Sequence, residues 1–145
     1  LVHTTSPAAM LYASIDAARR RMATEGEHLL SRTIELAWEV RRALATIPGL
    51  RVLGPELVDG RPGAGFDPTR ILVDVHGLGL TGYQAEAILR ERFRIAVEMS
   101  DLVSVMLLVT IGDTPETIRH LTEGFVGLAR TATQCPARAT SADLR

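Results

Sequence analysis

Residues 69–118 read TRILVDVHGLGLTGYQAEAILRERFRIAVEMSDLVSVMLLVTIGDTPETI, and the order of hydrophobic periods inside this stretch decides the fold. Residues 71–75 are rich in β-branched side chains and predict a strand. After Leu80-Thr81-Gly82 the period changes, and Ala85, Ile88, Leu89 and Phe93 share one face of a helix over 83–93. Residues 95–99 and 103–111 return to strand patterns, with Ser100-Asp101-Leu102 as a tight connection. Two strands joined so closely are expected to be antiparallel, because a parallel pair needs a crossover of about a dozen residues or more. Asp113-Thr114-Pro115-Glu116 then starts a last helix, with a capping side chain and a proline just inside. Ile118, Leu121, Phe125 and Leu128 form its buried stripe.

Working outward, residues 54–68 hold four glycines and three prolines and read as a loop after a short strand over 50–53. Upstream, Leu11, Ile15, Ala18, Met22, Leu29, Leu36, Val40 and Leu44 follow the spacing of one helix face. Ser6-Pro7 is a suitable start, and Pro48-Gly49 an end. Gly26 interrupts this pattern at a cost of about 1 kcal/mol against alanine, so one long helix of about ten turns, with room for a kink there, or two helices joined near Gly26 is expected. The tail after Thr133 is polar, built of small residues and expected to fray. The order helix, β, β, α, β, β, α predicts an α+β fold: a long N-terminal helix, then a mostly antiparallel sheet with helices packed on it.

The chain has 145 residues, a net charge of −1, and 46% hydrophobic and 23% charged residues, which suits one globular domain. A chain without net positive charge offers no field for nucleic acid or an anionic membrane, and neither is expected as a partner. The triplet Arg19-Arg20-Arg21 spreads around a helix and reads as a solvated face. The single cysteine, Cys135, permits no internal disulfide and fits a reducing cytoplasm. No apolar run is long enough to span a bilayer. His3, His28, His76 and His120 lack metal-ligand spacing, so no metal site is expected.

Three features bear on chemistry. Gly77-Leu78-Gly79-Leu80-Thr81-Gly82 matches G-x-G-x-x-G between a strand and a helix, with Glu98 on the next strand. This approaches a dinucleotide fingerprint, but the antiparallel pair that follows favours a structural turn. Thr4-Thr5-Ser6-Pro7 sets three hydroxyls at a helix start, fit for capping or for an anion such as phosphate. Glu98 alternates with apolar Val97 and Met99, so a strand would point it away from both, which by itself reads as a solvated outward-facing acid.

Residues 2–21 (VHTTSPAAMLYASIDAARRR) and 66–114 resemble the bacterial ornithine/lysine/arginine decarboxylases, which use pyridoxal phosphate (PLP). The similarity runs over roughly residues 2–130 and is strongest at 67–83 and 95–114. It implies an aspartate-aminotransferase-like fold, with 1–49 as the end of the cofactor domain plus a connecting helix, 50–132 as the small domain, and 133–145 as a tail. It implies a homodimer or higher homo-oligomer, in which a hydroxyl of Thr4, flanked by Thr5 and Ser6, reaches the PLP phosphate held by the partner subunit. It implies that Glu98 faces a basic amino-acid substrate, with a di- or polyamine as product. Two departures stand out. Ala8 and Ala9 replace the polar residue and tyrosine common in the family, and His76 stands where relatives carry a small hydroxyl residue.

The chain has no lysine, all sixteen basic residues being arginine, whereas the family binds its cofactor through a lysine upstream of this segment. The chain is therefore expected to be an internal piece of a decarboxylase, inactive alone and without bound PLP. Two other classes fit the same residues. One is a non-catalytic α+β interaction or regulatory module, and the other is a nucleotide-binding half domain built on the glycine turn.

Overall fold

In the computed structural model, which describes residues 8–61 and 65–134, the chain begins with one continuous helix, α1 (Ala9–Ala45). Ala8 occupies its N-cap without a side-chain cap, while the expected cap at Ser6-Pro7 lies outside the described residues. Of the two expected arrangements, one long helix is the one found: α1 runs through Gly26 without ending there. A mid-helix glycine costs only about 1 kcal/mol relative to alanine, too little to end a 37-residue helix with no internal proline. Burial is divided sharply along α1. Every one of residues 9–25 is exposed, whereas Leu29, Leu36, Ala37, Val40 and Leu44 are buried.

Four short strands follow: β1 (Arg51–Leu53), β2 (Arg70–Asp74), β3 (Met99–Ser100) and β4 (Ser104–Leu108). They form one sheet in the order β1-β2-β4-β3, antiparallel at every pairing. β4 lies between β2 and β3, so β2 and β3 run parallel to each other and α2 (Gly82–Phe93) is the crossover between them. α3 (Pro115–Gln134) completes the fold. The α+β architecture and the tight antiparallel connection agree with the sequence reading.

The strand expected over 95–99 is reduced to Met99–Ser100. Arg94 ends α2 in the left-handed region, with φ 57°, and delivers Ile95 into the core. Val97 packs on that core while Met99, two residues on, is 53% exposed. Period-two alternation therefore breaks at Glu98, where the backbone bends. Likewise, the strand expected over 103–111 keeps only 104–108. Among its described residues, the loop over 54–68 contains a turn of 3₁₀ helix at Pro55–Leu57.

All three helices cover one face of the sheet. Ile71, Val73, Val105 and Leu107 point into a core shared with Val40, Leu44, Leu89, Phe125 and Leu128. The residues alternating with them meet on the other face, where Leu53, Leu72, Met106 and Met99 stand in register across all four strands. α2 and α3 approach closely because two glycines leave room for side chains. A Cβ on Gly124 would meet Ile95 Cδ1 at 2.1 Å, and one on Gly127 would meet the Phe93 ring at 2.4 Å. Arg41, only 5% exposed, closes the sheet end next to α1. Its guanidinium donates to the carbonyls of Leu53 (2.8 Å), Pro68 (2.9 Å) and Arg70 (2.6 Å), and lies 4.8 Å from the Phe66 ring centroid.

Candidate functional site

The turn at Gly77–Gly82 owes its glycines to chain packing. A Cβ on Gly77 would lie 2.6 Å from the Gly49 carbonyl oxygen, and one on Gly82 only 2.0 Å from the Ser104 carbonyl oxygen. Gly79 has φ 72°, where glycine carries no steric penalty. The start of α2 is closed by its own capping box: Thr81 Oγ1 accepts from Gln84 N–H, and Gln84 Oε1 accepts from Thr81 N–H. Packing against backbone explains Gly77 and Gly82, and side-chain capping closes the start of α2, which supports a structural turn.

Glu98 immediately precedes β3, exposed to solvent, with its N–H donating to the Met106 carbonyl at 2.8 Å. Past it, Ser100 Oγ donates to the Glu86 carboxylate on α2, and Arg90 pairs with the other oxygen of the same carboxylate. Asp101 makes the turn. Its carboxylate accepts from the N–H groups of Val103 (2.8 Å) and Ser104 (2.6 Å) and from Ser104 Oγ (2.9 Å). Those backbone N–H groups, with the Ser104 hydroxyl, hold the Asp101 carboxyl below its ordinary range. Asp101 is thus fully committed to the β3–β4 connection, as a turn residue should be.

Ile111-Gly112-Asp113-Thr114 is a similar device at the start of α3. Asp113 accepts from Thr110 N–H, Thr110 Oγ1 and Thr117 Oγ1. Arg32 on α1 holds the turn from outside, donating to the carbonyls of Ile111 (3.1 Å) and Asp113 (3.0 Å). A cleft of about 250 Å³ lies beside it, lined by Arg94, Ala96, Leu107, Asp113, Thr117 and His120 among others, and Glu98 does not line it.

Of the four residues expected to meet cofactor or substrate, only Glu98 falls within the described residues. Thr4, Thr5 and Ser6 lie outside them, as does His3. Sequence reasoning missed Glu86, Ser100, Arg32 and Arg41. The Glu86/Arg90 spacing is legible as a helical ion pair. Ser100 is 14 residues from Glu86, and that contact depends on the crossover. Among the described residues there is no group of His, Cys, Asp and Glu able to hold a metal ion, and no helix is long and apolar enough to cross a membrane.

The chain is 44% identical over 131 residues to an arginine decarboxylase of Bacillus cereus, covering 90% of this chain and 28% of that protein. It is 38% identical over 130 residues to an arginine decarboxylase of Bacillus subtilis, covering 90% and 26% respectively. It therefore spans about a quarter of the length of the curated relatives it matches. A solved structure of the constitutive lysine decarboxylase of E. coli superposes with a TM-score of 0.67 over 88% of this chain and 23% of that one, at 20% identity, which shows a shared fold. The family model described as Orn/Lys/Arg decarboxylase, major domain, matches residues 1–117, and the chain belongs to that family.

Proposed function

We propose that this chain is the segment of a PLP-dependent decarboxylase that completes the enzyme's substrate and cofactor surroundings, and that the whole enzyme decarboxylates a basic amino acid to a di- or polyamine in the cytoplasm. The observation that carries the reading is identity of 38% or more across nearly the whole chain to proteins named arginine decarboxylase. Arginine is accordingly the first substrate to test, with ornithine and lysine beside it.

The residues here fit one edge of PLP and not its anchor. Without lysine the chain has no amine to bind the cofactor covalently, whereas the hydroxyls of Thr4, Thr5 and Ser6 suit a phosphate. When bound, PLP supplies an electron sink for the bonding pair released with CO₂. Thr4 would contribute its hydroxyl to the phosphate of the PLP held by a partner subunit. Glu98 would pair its carboxylate with the distal guanidinium or ammonium of the substrate, fixing which end enters. In this reading residues 1–49 close the cofactor domain and carry the connecting helix, residues 50–132 form the small domain of an aspartate-aminotransferase-like fold, and the enzyme is a homodimer or larger.

The test is CO₂ release from arginine, ornithine and lysine by the full product of the gene that encodes this sequence, beside the chain alone. Release by the full product with PLP, and none by the chain, is the expected pair. A gene product no longer than this chain, or one inert toward all three amino acids, sinks the proposal.

A further inference from the structure

The strand that carries the approach to Glu98 is too short to hold itself. β3 has two residues on the sheet edge, paired only to β4 through Met99↔Met106 and Ser100↔Val105. Isolated pairings of that length are marginal in water. Before it, residues 94–98 belong to no strand, and a backbone bond from Glu98 N–H to the Met106 carbonyl ties the residue to β4. Among the described residues, the side-chain hydrogen bond from β3 to the body of the fold is Ser100 Oγ on the Glu86 carboxylate, and that side chain is half-buried on α2, 23% exposed. Arg90 takes the second carboxylate oxygen from the solvent side.

We infer that Glu86, through Ser100, is a positioning residue for Glu98, setting where the substrate-facing carboxylate sits relative to the rest of the site. The inference rests on the role proposed above for Glu98. Glu86 touches no substrate in this scheme. It fixes the edge strand on α2, and α2 is itself fixed by Ala85 and Leu89 in the core. A hydrogen bond between a hydroxyl and a held acceptor is directional, which suits registration of one strand more than bulk stability.

The test has two arms. Amide exchange on this chain should show Glu98 N–H losing protection about tenfold in Ser100→Ala and in Glu86→Ala, with amides of α3 around Leu128 unchanged, as for local opening of one edge. In the full-length decarboxylase, the same substitutions should raise KM for the basic amino acid about tenfold, with kcat within about threefold, the pattern of lost substrate binding. Glu86→Gln keeps an acceptor for Ser100 and should restore most of both. Adding Glu86→Ala to Glu98→Ala should raise KM no further than Glu98→Ala alone, since the two act in series.

Unchanged Glu98 exchange in both single variants overturns the inference. So does a Glu86→Gln enzyme as impaired as Glu86→Ala, which would show the carboxylate acting by its charge. If Glu98→Ala itself leaves KM unaltered, the proposed role of Glu98 fails and the inference falls with it. A raised KM in Glu98→Ala with normal KM in Glu86→Ala and Ser100→Ala overturns the inference alone.

Discussion

Gly82 has room for a hydrogen and nothing larger on the side that faces β4. A methyl group there would press on two carbonyl oxygens, Ser104 at 2.0 Å and Asp101 at 2.4 Å, both backbone atoms that cannot swing aside. Gly82→Ala should therefore destabilise the chain by about 1–3 kcal/mol, the range for overpacking a close contact, readable as a lower urea midpoint at unchanged m. An unchanged midpoint would mean that the turn over 100–103 gives way freely. Asp101, the other party to that contact, predicts an acid effect of definite sign. Hydrogen bonds from Val103 N–H, Ser104 N–H and the Ser104 hydroxyl lower its folded-state pKa. Its contribution is therefore complete above the unfolded value of about 3.9 and is lost as pH falls through the lower folded value. Asp101→Asn should cost stability at neutral pH, and the gap from the unsubstituted chain should close as pH drops below about 4. Thermal melts at a series of pH values would show it, and a gap that widens toward acid would contradict it. Residue identity made the Asp101 turn legible in advance, because a short polar side chain before a strand favours that geometry. The setting of Glu98 was not legible. It depends on a bend produced by the left-handed Arg94 and the inward turn of Ile95 and Val97, neither of which a two-residue alternation encodes.

At the scale of elements, helices were easier to read than strands because their periodic patterns are longer. The α2 pattern over 83–93 meets the observed Gly82–Phe93 within one residue, and of the α3 stripe Ile118, Phe125 and Leu128 are buried while Leu121 is half-buried against the core. β3 shrank to two residues because its apolar members serve the α2–α3 interface instead of a ladder. The end of the sheet next to α1 depends on Arg41, which an i,i+4 helix reading places only as a charged residue beside the buried stripe. Its guanidinium satisfies three carbonyls on two strands and the loop between them, while stacking near Phe66 and Trp38. Arg41→Met should cost roughly 3 kcal/mol or more, because three inward carbonyls lose charge-assisted donors at once. Arg41→Lys should recover only part of that, since an ammonium lacks the planar fork that reaches all three. Equal stability of the Met and Lys variants in denaturant titration would show that packing, not donor geometry, is what Arg41 supplies.

The whole molecule leaves two apolar surfaces without cover from the described residues. One is the sheet row of Leu53, Leu72, Met106 and Met99, opposite the helices. The other is the first half of α1, where Met10 is 86% exposed, Tyr12 63%, Ile15 60% and Leu11 47%. A helix of 37 residues is about 55 Å long, and only its second half meets this fold. The spacing of Leu11, Ile15, Ala18 and Met22 continues into the buried series Leu29, Leu36, Val40 and Leu44, so one stripe serves two halves of the helix while only the second is covered. Exposed apolar patches on monomers rarely exceed about 300–600 Å², and a stripe left bare along a projecting helix tends to find another surface. At micromolar concentration the chain should sediment as a dimer or larger species. Leu11→Glu with Ile15→Glu should return it to the monomer and make its melting temperature independent of chain concentration, because neither side chain reaches the core. A lower melting temperature in that double variant at dilutions where both chains are monomeric would mean that the first half of α1 folds back on the body of the chain. A monomeric unsubstituted chain would show that the bare stripe is insufficient for association without the remainder of the decarboxylase.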